Sequence, residues 1–185
     1  EHDTGLEARF WLSDDTARPF LSRRRAMAGP VGCGLCGIDS LEQAVRPLPV
    51  VTDTDMAIET KLIATATDQL RMHQPLHDQT HAAHAAGFFT KDGNVILARE
   101  DVGRHNALDK LIGAMIDRNL DPTNGAFVLT SRISVEMVQK TAFAGCPMII
   151  AASAPTTHAL MLARDANITL CASARAGRFD CYSHP

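Results

Sequence analysis

The stretch that decides the fold is Phe127-Val-Leu-Thr-Ser-Arg-Ile-Ser-Val-Glu-Met-Val-Gln-Lys-Thr-Ala-Phe-Ala-Gly-Cys-Pro-Met-Ile-Ile-Ala151. Phe127–Leu129 and Met148–Ala151 are short unbroken apolar runs, the pattern of strands buried on both faces. Val135–Ala144 between them has helical spacing and is closed by Gly145, a good helix stop. Strand, helix and strand in this order predict a parallel pair joined by a crossover helix. Downstream the alternation continues, with a helix over Thr157–Ala166, a strand over Ile168–Ala172 and an edge strand over Phe179–Tyr182. Upstream, apolar residues at 107, 108, 111, 112, 115 and 116 predict a helix over Asn106–Asn119. Phe88-Phe89 and Val95-Ile-Leu97 flank Lys91-Asp-Gly-Asn94, a hairpin signal. Asp55 to Met72 reads as one long helix ended by Pro75, and Ser40-Leu-Glu-Gln43 as the capping box of a short one. The expected class is α/β: a three-layer arrangement with a sheet of mostly parallel strands and helices on both faces.

Residues 1–37 look different. Arginine, proline and glycine are scattered through them, and they end in the glycine-dense run Gly29-Pro-Val-Gly-Cys-Gly-Leu-Cys-Gly37. We expect an irregular N-terminal segment with a mobile cysteine-containing loop over 1–37, then a single α/β domain over 38–185. The chain opens at Glu1 with no initiator Met, so the natural protein is expected to continue upstream. With 185 residues, 45% hydrophobic and 21% charged, the composition suits a compact domain and argues against disorder. A net charge of −3 gives no reason to expect nucleic-acid binding. No apolar run approaches the roughly 20 residues of a membrane helix. Five cysteines do not suggest a secreted disulfide framework, and a cytoplasmic location is expected.

In open α/β sheets, ligands bind beyond the carboxyl ends of the parallel strands. Three loops fall there: Ser131-Arg132-Ile-Ser134, Ser153-Ala-Pro-Thr156-Thr157 and Ser173-Ala-Arg175-Ala-Gly-Arg178. Hydroxyls, helix N-termini and arginines on one rim suit phosphate, while any single serine or threonine there could merely cap a helix. A second candidate is Asp101-Val-Gly-Arg104-His105-Asn106-Ala-Leu-Asp109-Lys110, where acid, base, amide and cation crowd the turn before a helix. Asp101 and His105 join Ser131, Arg132 and Thr156 as candidate cofactor contacts. His77, His81 and His84, spaced by four and three, would share a face of a helix and are a possible metal set; a polar helix start is the plainer alternative.

Cys33-Gly-Leu-Cys36 admits three readings. A structural zinc needs a second such pair, which the sequence lacks, so no structural metal is expected. A thioredoxin-like centre needs a strand before it. The remaining reading is a nucleophilic thiol on a mobile loop, with helix N-terminal dipole and arginines raising the thiolate fraction. Cys146, Cys171 and Cys181 sit in strand contexts expected to deny access to them.

Taken together, Cys33-Gly-Leu-Cys-Gly37, Glu100-Asp-Val-Gly-Arg-His-Asn-Ala-Leu-Asp-Lys110, Ser131-Arg-Ile-Ser-Val-Glu-Met-Val-Gln-Lys140, Ser153-Ala-Pro-Thr156 and Arg175-Ala-Gly-Arg178 with Tyr182-Ser-His-Pro185 resemble the FdhD family, the formate dehydrogenase accessory sulfurtransferases. The resemblance covers about residues 30–185. It implies a cytidine-deaminase-like fold and transfer of persulfide sulfur from a cysteine desulfurase to Mo-bis(molybdopterin guanine dinucleotide), held as a bound substrate, for formate dehydrogenase. Carried over by position, Cys33 would bear the persulfide and Cys36 assist. Ser173, Ala174, Arg175, Ala176, Gly177 and Arg178 would touch the guanine-dinucleotide part, with GDP as a mimic. Zinc deaminases carry His-x-Glu and Pro-Cys-x-x-Cys; here Ala86 follows His84 at the Glu position and there is no Pro-Cys-x-x-Cys. The expected function is therefore a sulfur carrier acting as a homodimer. The alternatives are a metal-dependent hydrolase using His77, His81 and His84, or a non-catalytic cofactor-binding chaperone.

Overall fold

The computed structural model describes residues 11–21, 48–52 and 57–184. The chain divides into two units, Glu1–Arg46 and Pro47–Pro185. Within the stretch expected to be irregular, the first unit carries helix α1 (Asp14–Leu21). Asp14 and Asp15 put negative charge on its positive end. Cys33, Cys36 and the Ser40 capping box lie outside the described residues.

The second unit contains α2 (Thr60–Ile63), α3 (Ala66–Arg71), α4 (Pro75–Thr80), β1 (His84–Thr90), β2 (Val95–Asp101), α5 (Arg104–Asp117), β3 (Gly125–Leu129), α6 (Val135–Ala144), β4 (Met148–Ala151), α7 (Thr157–Asp165), β5 (Thr169–Arg175) and β6 (Arg178–Ser183). The six strands form one sheet in the order β2-β1-β3-β4-β5-β6. The expected α/β class holds, but the sheet is mixed rather than mostly parallel. Only β3-β4 and β4-β5 pair in parallel; β1 runs antiparallel to both β2 and β3, and β6 antiparallel to β5. The reason is connectivity: β1 and β2 form a tight hairpin, which fixes them antiparallel, and the hairpin then docks by β1 on β3. Gly93 closes the hairpin at φ +85°, and Thr90 N–H donates to Asn94 O at 2.9 Å.

Strands β1, β3, β4 and β5 have side chains alternating between two covered faces. Phe88, Leu97, Phe127, Leu129, Ile149 and Leu170 pack under α5, α6 and α7 with Leu108, Leu111, Met115, Met137 and Ala159. Phe89, Val95, Val128, Ile150 and Cys171 pack on the other face with Ile63, Ala66 and Leu70 of α2 and α3. Each large apolar side chain so enclosed contributes roughly 1.5–3 kcal/mol.

Two expectations around this second face fail for local reasons. The helix expected to run to Met72 is broken at Ala64–Thr65, where Thr65 Oγ1 donates to Leu62 O at 2.9 Å and tightens the turn; Asp55 and Met56 are outside the described residues. Pro75 does not merely end a helix. It occupies the first turn of α4, where its missing N–H costs nothing.

The β1–β3 pairing depends on one close approach. Gly125 is extended, and a Cβ there would lie 2.3 Å from Phe89 O and 2.8 Å from the Phe88 ring. Gly125→Ala should therefore destabilise the domain by about 1–3 kcal/mol, through forced shifts in a packed core; urea unfolding followed by circular dichroism measures this.

Candidate functional site

Because β3, β4 and β5 are parallel, Leu129, Ala151 and Arg175 end on one edge of the sheet. His84 and Asp101 are paired on that same edge, since β1 runs against β3 and β2 runs against β1. Helices α5, α6 and α7 all begin there, at Arg104, Val135 and Thr157. The edge loops are stitched together: Ile133 bridges Pro155, and Thr156 N–H donates to Ile133 O at 3.0 Å. The rim expected from the sequence therefore exists. It is long, however. Asp101 on β2 and Arg175 on β5 are separated by four strand spacings, or about 19 Å, so they flank opposite ends of one edge and do not share a small pocket.

At the β5–β6 end, Ala176 (φ +51°) and Gly177 (φ +74°) form a two-residue turn of the I′ type, with Arg175 and Arg178 paired across it. Ser173 also has a left-handed φ of +54°. Non-glycine residues in this region each cost of order 1–3 kcal/mol, and such strain gathers at ligand sites. The turn borders a cleft of about 760 Å³ lined by Lys61, Ser173, Arg175, Arg178, Phe179 and Asp180, among others. Arg175 and Arg178 against Asp180 give it a positive interior suited to phosphate, while Lys61 is already paired with Glu59 at 2.6 Å. Ala174 is buried against the second core, and its carbonyl accepts from Thr67 Oγ1 at 2.7 Å, so it positions the strand and its side chain faces no ligand space. Lys61 and Asp180 were not legible as site residues. Lys61 lies more than a hundred positions upstream, on a four-residue helix with no motif around it.

The remaining rim residues divide by what already engages them. Thr156 caps α7, its Oγ1 accepting from Ala159 N–H at 3.2 Å, so the plain capping role holds for this hydroxyl. Ser131 is buried and donates to Arg132 O at 3.1 Å, while Arg132 is exposed. Ser134, at the N-cap of α6, keeps a buried Oγ with no hydrogen-bond partner among the described residues.

Asp101 is fully committed to the β2–α5 turn. Its Oδ2 accepts from Lys110 Nζ at 2.8 Å, and its Oδ1 from Gly103 N–H at 2.9 Å and Asn106 Nδ2 at 3.2 Å. His105 Nε2 lies 2.9 Å from Glu136 Oε2, without the alignment a hydrogen bond needs. Lys140 Nζ ties α6 back to α5 through His105 O, at 3.2 Å, and through Asp109. The two long motifs thus lock the starts of α5 and α6 together.

The three histidines do not share a helix face. His77 is on α4, His81 is its left-handed C-cap (φ 52°), and His84 opens β1. The left-handed turn at His81 ends the helical period before His84, although the three side chains line one cavity and the His77 and His81 rings meet edge to face at 5.7 Å. Among the described residues, no three His, Cys, Asp or Glu side chains converge as metal ligands. Of the cysteines, Cys146 and Cys171 are buried, and burial pushes both thiols up to about 12, Cys171 with help from the neighbouring Cys181. Cys181 departs from expectation: it is exposed on the edge strand β6.

The FdhD/NarQ family model matches residues 4–185, nearly the whole chain. The chain belongs to the FdhD/NarQ family. It is 53% identical to the sulfur carrier protein FdhD of Bordetella bronchiseptica, over 88% of this chain and 59% of that protein. It is 45% identical to the sulfur carrier protein FdhD of Agrobacterium fabrum, over 99% of this chain and 68% of that one. A crystal structure of a Desulfotalea psychrophila protein, described as a formate dehydrogenase accessory protein, superposes with a TM-score of 0.67 at 31% identity, covering 74% of this chain and 57% of that one. The chain thus spans about three-fifths of the Bordetella protein's length. No helix among the described residues is long and apolar enough to cross a membrane.

In this FdhD/NarQ chain the Asp101 carboxyl is held below its ordinary value, first by the Lys110 hydrogen bond and then by Gly103 N–H, with burial opposing. A carboxylate stabilised in the folded state contributes above its unfolded value, and that contribution is lost as pH falls through the folded one. Asp101→Asn should lower stability at neutral pH by about 1 kcal/mol and flatten the acid limb of a plot of melting temperature against pH.

Proposed function

We propose that this chain carries sulfur as a persulfide on Cys33, taking it from a cysteine desulfurase and passing it to Mo-bis(molybdopterin guanine dinucleotide) destined for formate dehydrogenase. The observation that carries this reading is the cationic cleft at Arg175 and Arg178, in a chain whose relatives are named sulfur carriers. The cofactor is substrate here. Lys61, Arg175 and Arg178 would hold the phosphates of a guanine-dinucleotide arm, and GDP would mimic that arm.

Sulfur loading needs no external oxidant. The Cys33 thiolate attacks the outer sulfur of the desulfurase persulfide; a Cys33 sulfur–sulfur bond forms, the donor's sulfur–sulfur bond breaks, and the donor cysteine leaves as thiolate. Cys36, three positions after Cys33 in the chain, would assist. Glycines stand at 29, 32, 34 and 37 around both in the sequence. Cys146 and Cys171 are unsuited to the task, since burial holds them as thiols at neutral pH. The edge of β6 would serve a homodimer contact, and a cysteine desulfurase as donor would fit a cytoplasmic protein.

Cys33→Ala should abolish persulfide loading, read as the loss of a one-sulfur mass increment after incubation with desulfurase and cysteine. GDP binding and the fold should stay intact. Normal formate dehydrogenase activity in a deletion strain carrying Cys33→Ala would instead favour a cofactor chaperone. Arg178→Ala should weaken GDP binding about ten-fold or more, since each charge-assisted hydrogen bond to phosphate contributes about 1.5–3 kcal/mol; calorimetry reads this directly.

A further inference from the structure

The β5–β6 hairpin carries a pair of thiols that the sulfur-transfer reading does not use. Cys171 on β5 and Cys181 on β6 are direct cross-strand partners. Opposed residues of antiparallel strands have Cα atoms about 4.5–5.5 Å apart, inside the roughly 4.4–6.8 Å that a disulfide spans. The two side chains also lie on one face of the sheet. Cys171 belongs to the second core, Phe179 packs against that core, and Cys181 follows Phe179 by two positions on the same strand. They act on each other directly: after burial, the neighbouring Cys181 is what pushes the Cys171 thiol up to about 12.

One thiol is accessible and the other is not. Cys181 is exposed and Cys171 buried, so an oxidant in solution meets Cys181 first. A low-molecular-weight disulfide such as oxidised glutathione is sufficient. The Cys181 thiolate attacks one of its sulfurs: a mixed disulfide forms at Cys181, the reagent's sulfur–sulfur bond breaks, and one glutathione leaves as thiolate. Cys171 then gives up its proton and attacks Cys181 Sγ, and the second glutathione is expelled and takes a proton. The cysteines are oxidised by two electrons together, and the reagent is reduced to a pair of thiols. Burial makes Cys171 unreactive toward solution, but a partner fixed beside it reacts at high effective concentration.

The bridge would close residues 172–180 into a covalent ring. Ser173, Arg175, Gly177, Arg178, Phe179 and Asp180, most of the cleft's lining, lie inside that ring. Without it the hairpin is held by few regular pairs. Strand β6 is an edge strand, and the ladder shifts register on both sides of the Cys171–Cys181 and Ala172–Asp180 pairs. A covalent link at that point fixes the register that sets Arg175 opposite Arg178.

We propose that Cys171 and Cys181 form a reversible disulfide that locks the β5–β6 hairpin, and with it the placement of Arg175 and Arg178, when a small disulfide oxidises the protein. The pair is independent of Cys33 and of what the cleft binds, so failure of the sulfur-carrier reading leaves it standing.

The test exposes the folded full chain to oxidised glutathione, alkylates the remaining thiols and digests the protein with trypsin for mass spectrometry. Asp165–Arg175 and Phe179–Pro185 should appear joined, lighter than the separate peptides by a pair of hydrogens, and dithiothreitol should part them. Cys171→Ser should stop at a glutathione adduct on Cys181. Cys181→Ser, an exposed change that spares the core, should leave Cys171 and Cys146 as free thiols. In the bridged protein, amide hydrogen exchange across residues 172–180 should slow about five-fold or more relative to the reduced protein. The proposal is overturned by unreacted thiols at both positions, or by a lasting glutathione adduct on Cys181 with Cys171 intact beside it. A bridge from either cysteine to Cys33 or Cys36 in place of this one, or unchanged exchange in the bridged hairpin, also overturns it.

Discussion

The constraint on which the molecule rests is that its three central strands are parallel and covered on both faces. Parallel neighbours cannot be joined by a tight turn, so α6 and α7 must return the chain to the starting edge before the next strand begins. Each crossover helix therefore begins where a strand has just ended. The carboxyl ends of β3, β4 and β5, two helix N-termini and their polar loops are forced onto one edge. Nothing about this edge needs to be functional for the geometry to arise, which is why ligand sites recur there in sheets of this kind.

What distinguishes this edge is how its polar groups are divided. From the β2 end through β4, the groups are spent on structure: Asp101 with Lys110 and Gly103, Asp109 with Lys140, Thr156 with Ala159. Glu136 stands against His105 in the same region. This network joins the starts of α5 and α6, so the loops beside them have little freedom. At the β5–β6 end, by contrast, positive groups outnumber acceptors. Arg175 and Arg178 face each other across a strained turn, and like charges so placed repel. A hairpin that keeps left-handed Ser173 and Ala176 and pairs two arginines is not optimised for stability alone. A bound polyanion would offset both costs.

The thiol chemistry follows the same division. The core thiols are protonated by burial, and chemistry that needs an accessible thiolate falls to cysteines outside the core.

Much of the architecture was legible in sequence because local burial leaves a local pattern. The period of Val135–Ala144, the stop at Gly145 and the run Met148–Ala151 specify α6 and β4 to the residue, and Asp92-Gly93 specifies the hairpin. The cysteine motif, the arginine pair and the family resemblance are likewise properties of the chain itself. Tertiary structure alone decided that β1 docks antiparallel on β3, because periodicity reports whether a face is buried and not which strand lies beside it. It alone brought Lys61 to Arg178 and Gln74 to Thr130, pairs far apart in the chain, and it alone set His77, His81 and His84 on the wall of one cavity without a shared helix face, because the left-handed turn at His81 ends α4 before His84. Those outcomes depend on which long-range contacts fill the core best, and no window of sequence contains both partners.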